Sequence, residues 1–82
     1  MITKDAIESA FCFFHQKQRI YQYSTLDWQK DDIEYAIAAY ADDMNPELYN
    51  ALSHGNTAFL RNHSTFAADI QQAVSTLENM LE

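Results

Sequence analysis

The chain has 82 residues, of which 48% are hydrophobic, and its formal net charge is −7. That length allows one helical domain over residues 1–82, the apolar fraction excludes an intrinsically disordered chain, and the negative charge argues against partners such as nucleic acid or an anionic membrane. The chain has one glycine and one proline, which argues against a small β-sheet protein with its several tight turns, so the composition predicts an all-α fold.

The first predicted helix runs from about Lys4 to Gln22. Thr3 is the expected N-cap, and Ile2 and Ile7 are spaced to form a hydrophobic staple around it. The apolar face of this helix consists of Ala6, Ile7, Ala10, Phe11, Phe13, Phe14, Ile20 and Tyr21. This face covers about half of the circumference, which is wider than a helix at the edge of a bundle normally needs.

The second predicted helix runs from about Trp28 to Asp43 and is capped by Asp27, or alternatively by Ser24 or Thr25. Its main apolar stripe consists of Leu26, Ile33, Ala36, Ile37, Tyr40 and Met44. A second stripe, nearly opposite, consists of Trp28, Tyr35 and Ala39. Two interpretations of this second stripe remain open, because the aromatic residues can cover another part of the same chain or form an interface with a partner.

A short third helix is predicted from about Pro46 to His54. The sequence Asn45-Pro46-Glu47 reads as an N-cap, a first helical residue and an acid in the first turn. Gly55 is the expected left-handed residue that ends this helix.

The remaining segment predicts one or two helical turns within residues 56–62 and a fourth helix that Ser64 caps and that ends at about Leu81. The apolar stripe of this helix consists of Phe66, Ile70, Ala73, Val74, Leu77 and Leu81. Short linkers make sequential helices pack as neighbours. The sequence therefore predicts a compact small bundle of three long helices plus one or two short ones.

The sequence nominates no catalytic residue, no cofactor and no metal site. Asp31 and Asp42 point away from the main stripe of the second helix, so they are expected to be solvated. His54 and His63 have no cysteine or second histidine at metal-binding spacing. Cys12, the only cysteine, lies opposite the apolar face of the first helix, and His15 three residues on makes only a weak nucleophile pairing with no third orienting group. We therefore do not expect an enzyme.

The pattern instead favours a cytoplasmic protein–protein interaction module, an adaptor or regulatory subunit that forms a homodimer. The candidate interface residues are Phe13, Ile20, Trp28 and Tyr35. An alternative follows from the net charge of −6 carried by residues 25–50. An acidic segment of this kind can imitate nucleic acid or neutralise a basic partner, as an inhibitor or antitoxin-like protein does.

Overall fold

The computed structural model describes residues 2–82 and is entirely helical in its regular structure. Helices α1 and α2 are followed by the short helix α3, a 3₁₀ turn and helix α4. Their bounds are Lys4–Tyr23, Asp27–Asp43, Pro46–Ser53, His63–Thr65 and Phe66–Leu81, respectively. The prediction of an all-α bundle with three long helices is confirmed.

The start of α1 and the start of α3 follow from side chains next to them in the sequence. The hydroxyl oxygen of Thr3 accepts a hydrogen bond from the backbone N–H of Ala6 at 3.1 Å. At α3, the side-chain oxygen of Asn45 accepts from the backbone N–H of Glu47 at 2.9 Å. Both predicted caps are therefore confirmed, and each satisfies an N–H group that has no partner inside its helix.

The predicted cap of α2 is wrong. Leu26 occupies the N-cap position without a side-chain hydrogen bond, and Asp27 is the first helical residue. There its negative charge still interacts favourably with the positive end of the helix dipole. Ser24 instead ends α1, where its hydroxyl donates to the carbonyl of Ile20 at 2.7 Å.

Helix α3 ends one residue earlier than predicted, because His54 already adopts the left-handed conformation. Its φ is 53°, and Gly55 follows with a φ of 84°. The left-handed turn predicted for Gly55 is therefore shared by two residues. An imidazole at this position carries a conformational cost that glycine does not.

The predicted helical turns in residues 56–62 are absent, and this segment is a series of non-helical turns. Leu60 has a positive φ of 62°, which a regular helix does not contain. Ser64 does not cap α4; its N–H instead donates to the side-chain oxygen of Asn62 at 3.1 Å, and this contact begins the 3₁₀ turn. Helix α4 then starts at Phe66.

The core lies mainly between α1 and α4, with α2 and α3 packed around that pair. The buried apolar residues are Ala10, Phe14, Ile33, Ile37, Ala41, Leu48, Leu52, Phe59, Leu60, Phe66, Ile70, Ala73, Val74 and Leu77. The predicted stripe of α4 is thus buried up to Leu77, whereas Leu81 is half-buried. Leu26 was predicted for the inner stripe of α2 and is in fact 49% exposed. Among the helices of residues 2–82, none is apolar over enough of its length to cross a membrane.

Candidate functional site

The outer face of α2 carries aromatic side chains that residues 2–82 leave largely exposed. Trp28 is 61% exposed and Tyr35 is 79% exposed. They are seven residues apart, or about two helical turns, and so lie on the same side of the helix. The opposite side contributes Ile33 and Ile37 to the core. The structure therefore disfavours the interpretation in which this stripe covers another part of the same chain.

More apolar surface is exposed where α1 turns into α2. Ile20 and Tyr23 are three residues apart near the end of α1, and Leu26 lies just before α2. All three side chains are exposed, and that of Tyr23 is 79% exposed. We call Ile20, Tyr23, Leu26 and Trp28 the corner surface. It places four large apolar side chains within nine residues of sequence, around one connection of the fold.

An open groove of ≈ 550 Å³ lies beside the corner surface. The last turns of α1 form most of it, and the first turn of α2 contributes one residue. Its lining consists of His15, Gln16, Arg19, Ile20, Tyr23, Ser24 and Gln29. The groove therefore combines two apolar side chains with one permanent positive charge, that of Arg19.

Phe13 is in a different environment from the other three candidate interface residues. It is half-buried, and its ring stacks on that of Tyr40 with 4.4 Å between the ring centroids. The ammonium of Lys17 lies 5.5 Å from the centroid of the Phe13 ring. Phe13 is thus engaged within the chain, whereas Ile20, Trp28 and Tyr35 are free to contact a partner.

Sequence reasoning missed Tyr23 and Leu26 as surface residues. Tyr23 lies one residue beyond the predicted end of the first helix, and Leu26 matched the spacing of the inner stripe of the second. The structure extends α1 to Tyr23 and places Leu26 in the connection. The clustering of apolar residues just before Trp28 is the sequence signal that could have identified them.

The charges around the corner surface are balanced, unlike those of the whole chain. Residues 15–32 contain three cationic and three acidic side chains, so the formal net charge of −7 belongs to the rest of the protein. The cations are Lys17, Arg19 and Lys30, and the acids are Asp27, Asp31 and Asp32. A partner that approaches this surface consequently meets a segment with no net formal charge.

Two acids of α2 contact basic side chains, Arg61 and His63, of the segment between α3 and α4. Asp42 contacts Arg61 at 2.5 Å, and Glu34 contacts Nδ1 of His63 at 2.9 Å. The hydrogen bond to the Glu34 carboxylate, together with its charge, raises the pKa of His63 above its ordinary value. Asp42 was predicted to be solvated and is indeed 60% exposed, but it has a partner.

Asp31 joins Glu34 and His63 in a group whose ligand-type atoms lie within 4.8 Å of one another. In chemical type, one imidazole nitrogen and two carboxylates could hold a divalent cation. Asp31 and His63 are exposed, however, and the His63 nitrogen already contacts Glu34. The arrangement is that of a surface ion pair. Sequence spacing could not reveal it, because His63 is 29 residues from Glu34.

Cys12 and His15 of α1 are exposed and lie outside the core. Cys12 is an exposed free thiol, and the imidazole of His15 stacks flat on the ring of Phe11 with 5.4 Å between centroids.

No protein-family model, no curated protein and no solved structure matches this chain. The candidate site is therefore defined by its exposed apolar side chains and its local charge.

Proposed function

We propose that this protein is a small acidic cytoplasmic protein–protein interaction module, an adaptor or regulatory subunit, and that it self-associates. The exposure of the corner surface carries this proposal. Large exposed apolar patches on soluble proteins mark interaction sites, and Trp and Tyr are enriched where binding energy is concentrated. Here Trp28 and Tyr23 have their rings in water although the chain has a well-packed core.

The local charge supports a second copy of the chain as the partner. Two molecules with a net charge of −7 repel each other over most of their surfaces. Around the corner surface the cations and acids are equal in number, so a pair that meets there avoids most of this repulsion. A symmetric pair also matches one apolar patch to its own copy.

The acidic-mimic alternative is less well supported by the positions of the carboxylates. A nucleic-acid mimic needs rows of free acids to engage a basic partner. Glu34 and Asp42 instead contact His63 and Arg61 within the same chain. These two pairings interrupt the acidic run of α2 and leave fewer charges for a basic protein.

Self-association can be tested by light scattering coupled to size-exclusion chromatography over a range of micromolar concentrations. We expect about twice the chain mass of 9.5 kDa, with an interface of at least about 1,000 Å² in total. Trp28→Glu should shift the protein toward the monomer, because it places a charge in the apolar contact. Met80→Glu is the matched control, since Met80 is an exposed apolar residue on α4, outside the corner surface.

Circular dichroism should show that both variants keep the helical content of the wild type, because both side chains are exposed. A wild-type protein that remains monomeric at the highest concentration would overturn the proposed self-association. Equal effects of Trp28→Glu and Met80→Glu would overturn the assignment of the interface to the corner surface.

A further inference from the structure

We infer that, in the pair described above, Trp28 of each copy inserts into the groove of the other, with Arg19 facing the acids that flank the inserted ring. This inference rests on the proposed self-association and specifies its geometry. Three features carry it: the groove, the projecting indole and their complementary charges.

The groove has the size and the chemistry to receive an aromatic side chain. Its ≈ 550 Å³ falls within the range of about 300–1,000 Å³ that holds small-molecule ligands. Ile20 and Tyr23 supply apolar contact, and the guanidinium of Arg19 supplies a cation that can stack on a ring or pair with a carboxylate. An aromatic group with negative charge beside it is the ligand that this lining suits.

Trp28 is such a group. Its side chain is 61% exposed at the start of α2. Asp27 precedes it, while Asp31 and Asp32 lie three and four residues further on, on the same side of the helix. The indole therefore projects from an acidic rim, which complements the cation of the groove.

The groove and the indole are also close enough for a symmetric pair. Gln29 lines the groove and directly follows Trp28 in α2, so the indole is attached to the backbone position next to the groove. In a twofold pair, each copy then gives its Trp28 and receives that of its partner, and the same contact forms twice.

Charge exchange tests this geometry. The first variant, Arg19→Glu, places a negative charge in the groove, where it repels the acidic rim of the partner. The second, Asp27→Arg with Asp31→Arg, places positive charges on the rim, where they repel Arg19 of the partner. Each alone should weaken dimerisation about tenfold or more, because like charges then meet at both copies of the contact. An equimolar mixture should restore the dimer, because each altered groove then faces an altered rim and each native groove a native rim. Lys4→Glu is the matched control, as it makes the same charge change at the far end of α1.

Trp28 provides an independent readout, because it is the only tryptophan of the chain. Its emission should move to shorter wavelength as the wild-type concentration rises through the dimerisation range, and for Arg19→Glu the same shift should need a concentration about tenfold higher or more. Melting curves should show that each variant is folded.

The possible results separate the two proposals. A wild-type dimer with restored pairing in the mixture supports the inserted geometry. A wild-type dimer that neither charge variant weakens, or whose Trp28 emission does not change on association, overturns this inference and leaves self-association standing. A wild-type monomer overturns both.

Discussion

The stability of the segment between α3 and α4 should depend on one buried carboxylate, that of Asp69. This residue is only 9% exposed in the first turn of α4. One of its oxygens accepts from the backbone N–H of Leu60 at 3.0 Å and from the hydroxyl of Thr65 at 3.2 Å. Leu60 is itself buried and has a positive φ of 62°. The carboxylate therefore holds the chain where its backbone conformation is least favourable.

Asp69→Ala should destabilise the protein by about 1–4 kcal/mol. Leaving the buried N–H of Leu60 without an acceptor costs about 1–3 kcal/mol. Losing a negative charge from the first turn of α4 adds about 0.3–1 kcal/mol. A domain of this size loses about 4–8 °C of melting temperature for each kcal/mol.

Urea unfolding followed by circular dichroism measures this difference. Asp69→Asn should lose less stability than Asp69→Ala, because the amide oxygen can still accept a hydrogen bond. Asp5→Ala is the matched control: Asp5 is an exposed acid in the first turn of α1, so its removal tests the helix-dipole contribution alone. If Asp69→Ala and Asp5→Ala were equally stable, the argument that Asp69 holds Leu60 would be wrong.

Three further predictions concern the core, the ion pair of His63 and the role of metal. Leu77 is fully buried, so Leu77→Ala should lower the free energy of unfolding in urea by about 2–5 kcal/mol. A melting temperature within a degree of the wild type would contradict the place of Leu77 in the core. Because the pKa of His63 is raised in the folded protein, its pair with Glu34 should stabilise the fold below the unfolded pKa of about 6.5 and lose that effect as the pH rises through the folded pKa. The stability difference between the wild type and His63→Ala should thus shrink from pH 6 to pH 8 (about the range that spans this titration), and an NMR titration midpoint of His63 at or below 6.5 would contradict the reasoning. EDTA should leave the melting temperature unchanged, since only ligands bound to the native state raise it. A clear decrease would indicate a bound cation, and Asp31, Glu34 and His63 would then be the first residues to substitute.

The features that were predicted correctly from the sequence depend on contacts between near neighbours in the chain. The caps at Thr3 and Asn45 join groups two or three residues apart. The core stripe of α4 repeats at intervals of three and four residues, so it follows from helical periodicity alone. Such patterns can be recognised from residues that lie within a few positions of one another in the sequence.

The predictions that failed concern segments whose conformation is fixed from elsewhere. Residues 56–62 were expected to be helical, but the N–H of Leu60 bonds to Asp69, nine residues away. That contact favours a left-handed residue over another helical turn. The cap predicted at Ser64 failed for a local reason, because the N–H and the hydroxyl of Ser64 both donate to the side-chain oxygen of Asn62 and a 3₁₀ turn begins there.

The sequence by itself determined that the chain is a small helical bundle, and it identified Trp28 and Tyr35 as a second apolar stripe on α2. Only the tertiary structure decided whether the second stripe is covered by another part of the chain. Both faces of α2 carry large apolar side chains, and local periodicity does not show which neighbours cover each face. Ile33 and Ile37 of the main stripe fit against the rest of the bundle. The aromatic stripe remains exposed because packing is a property of the whole chain, and a bundle this small buries only one side of α2.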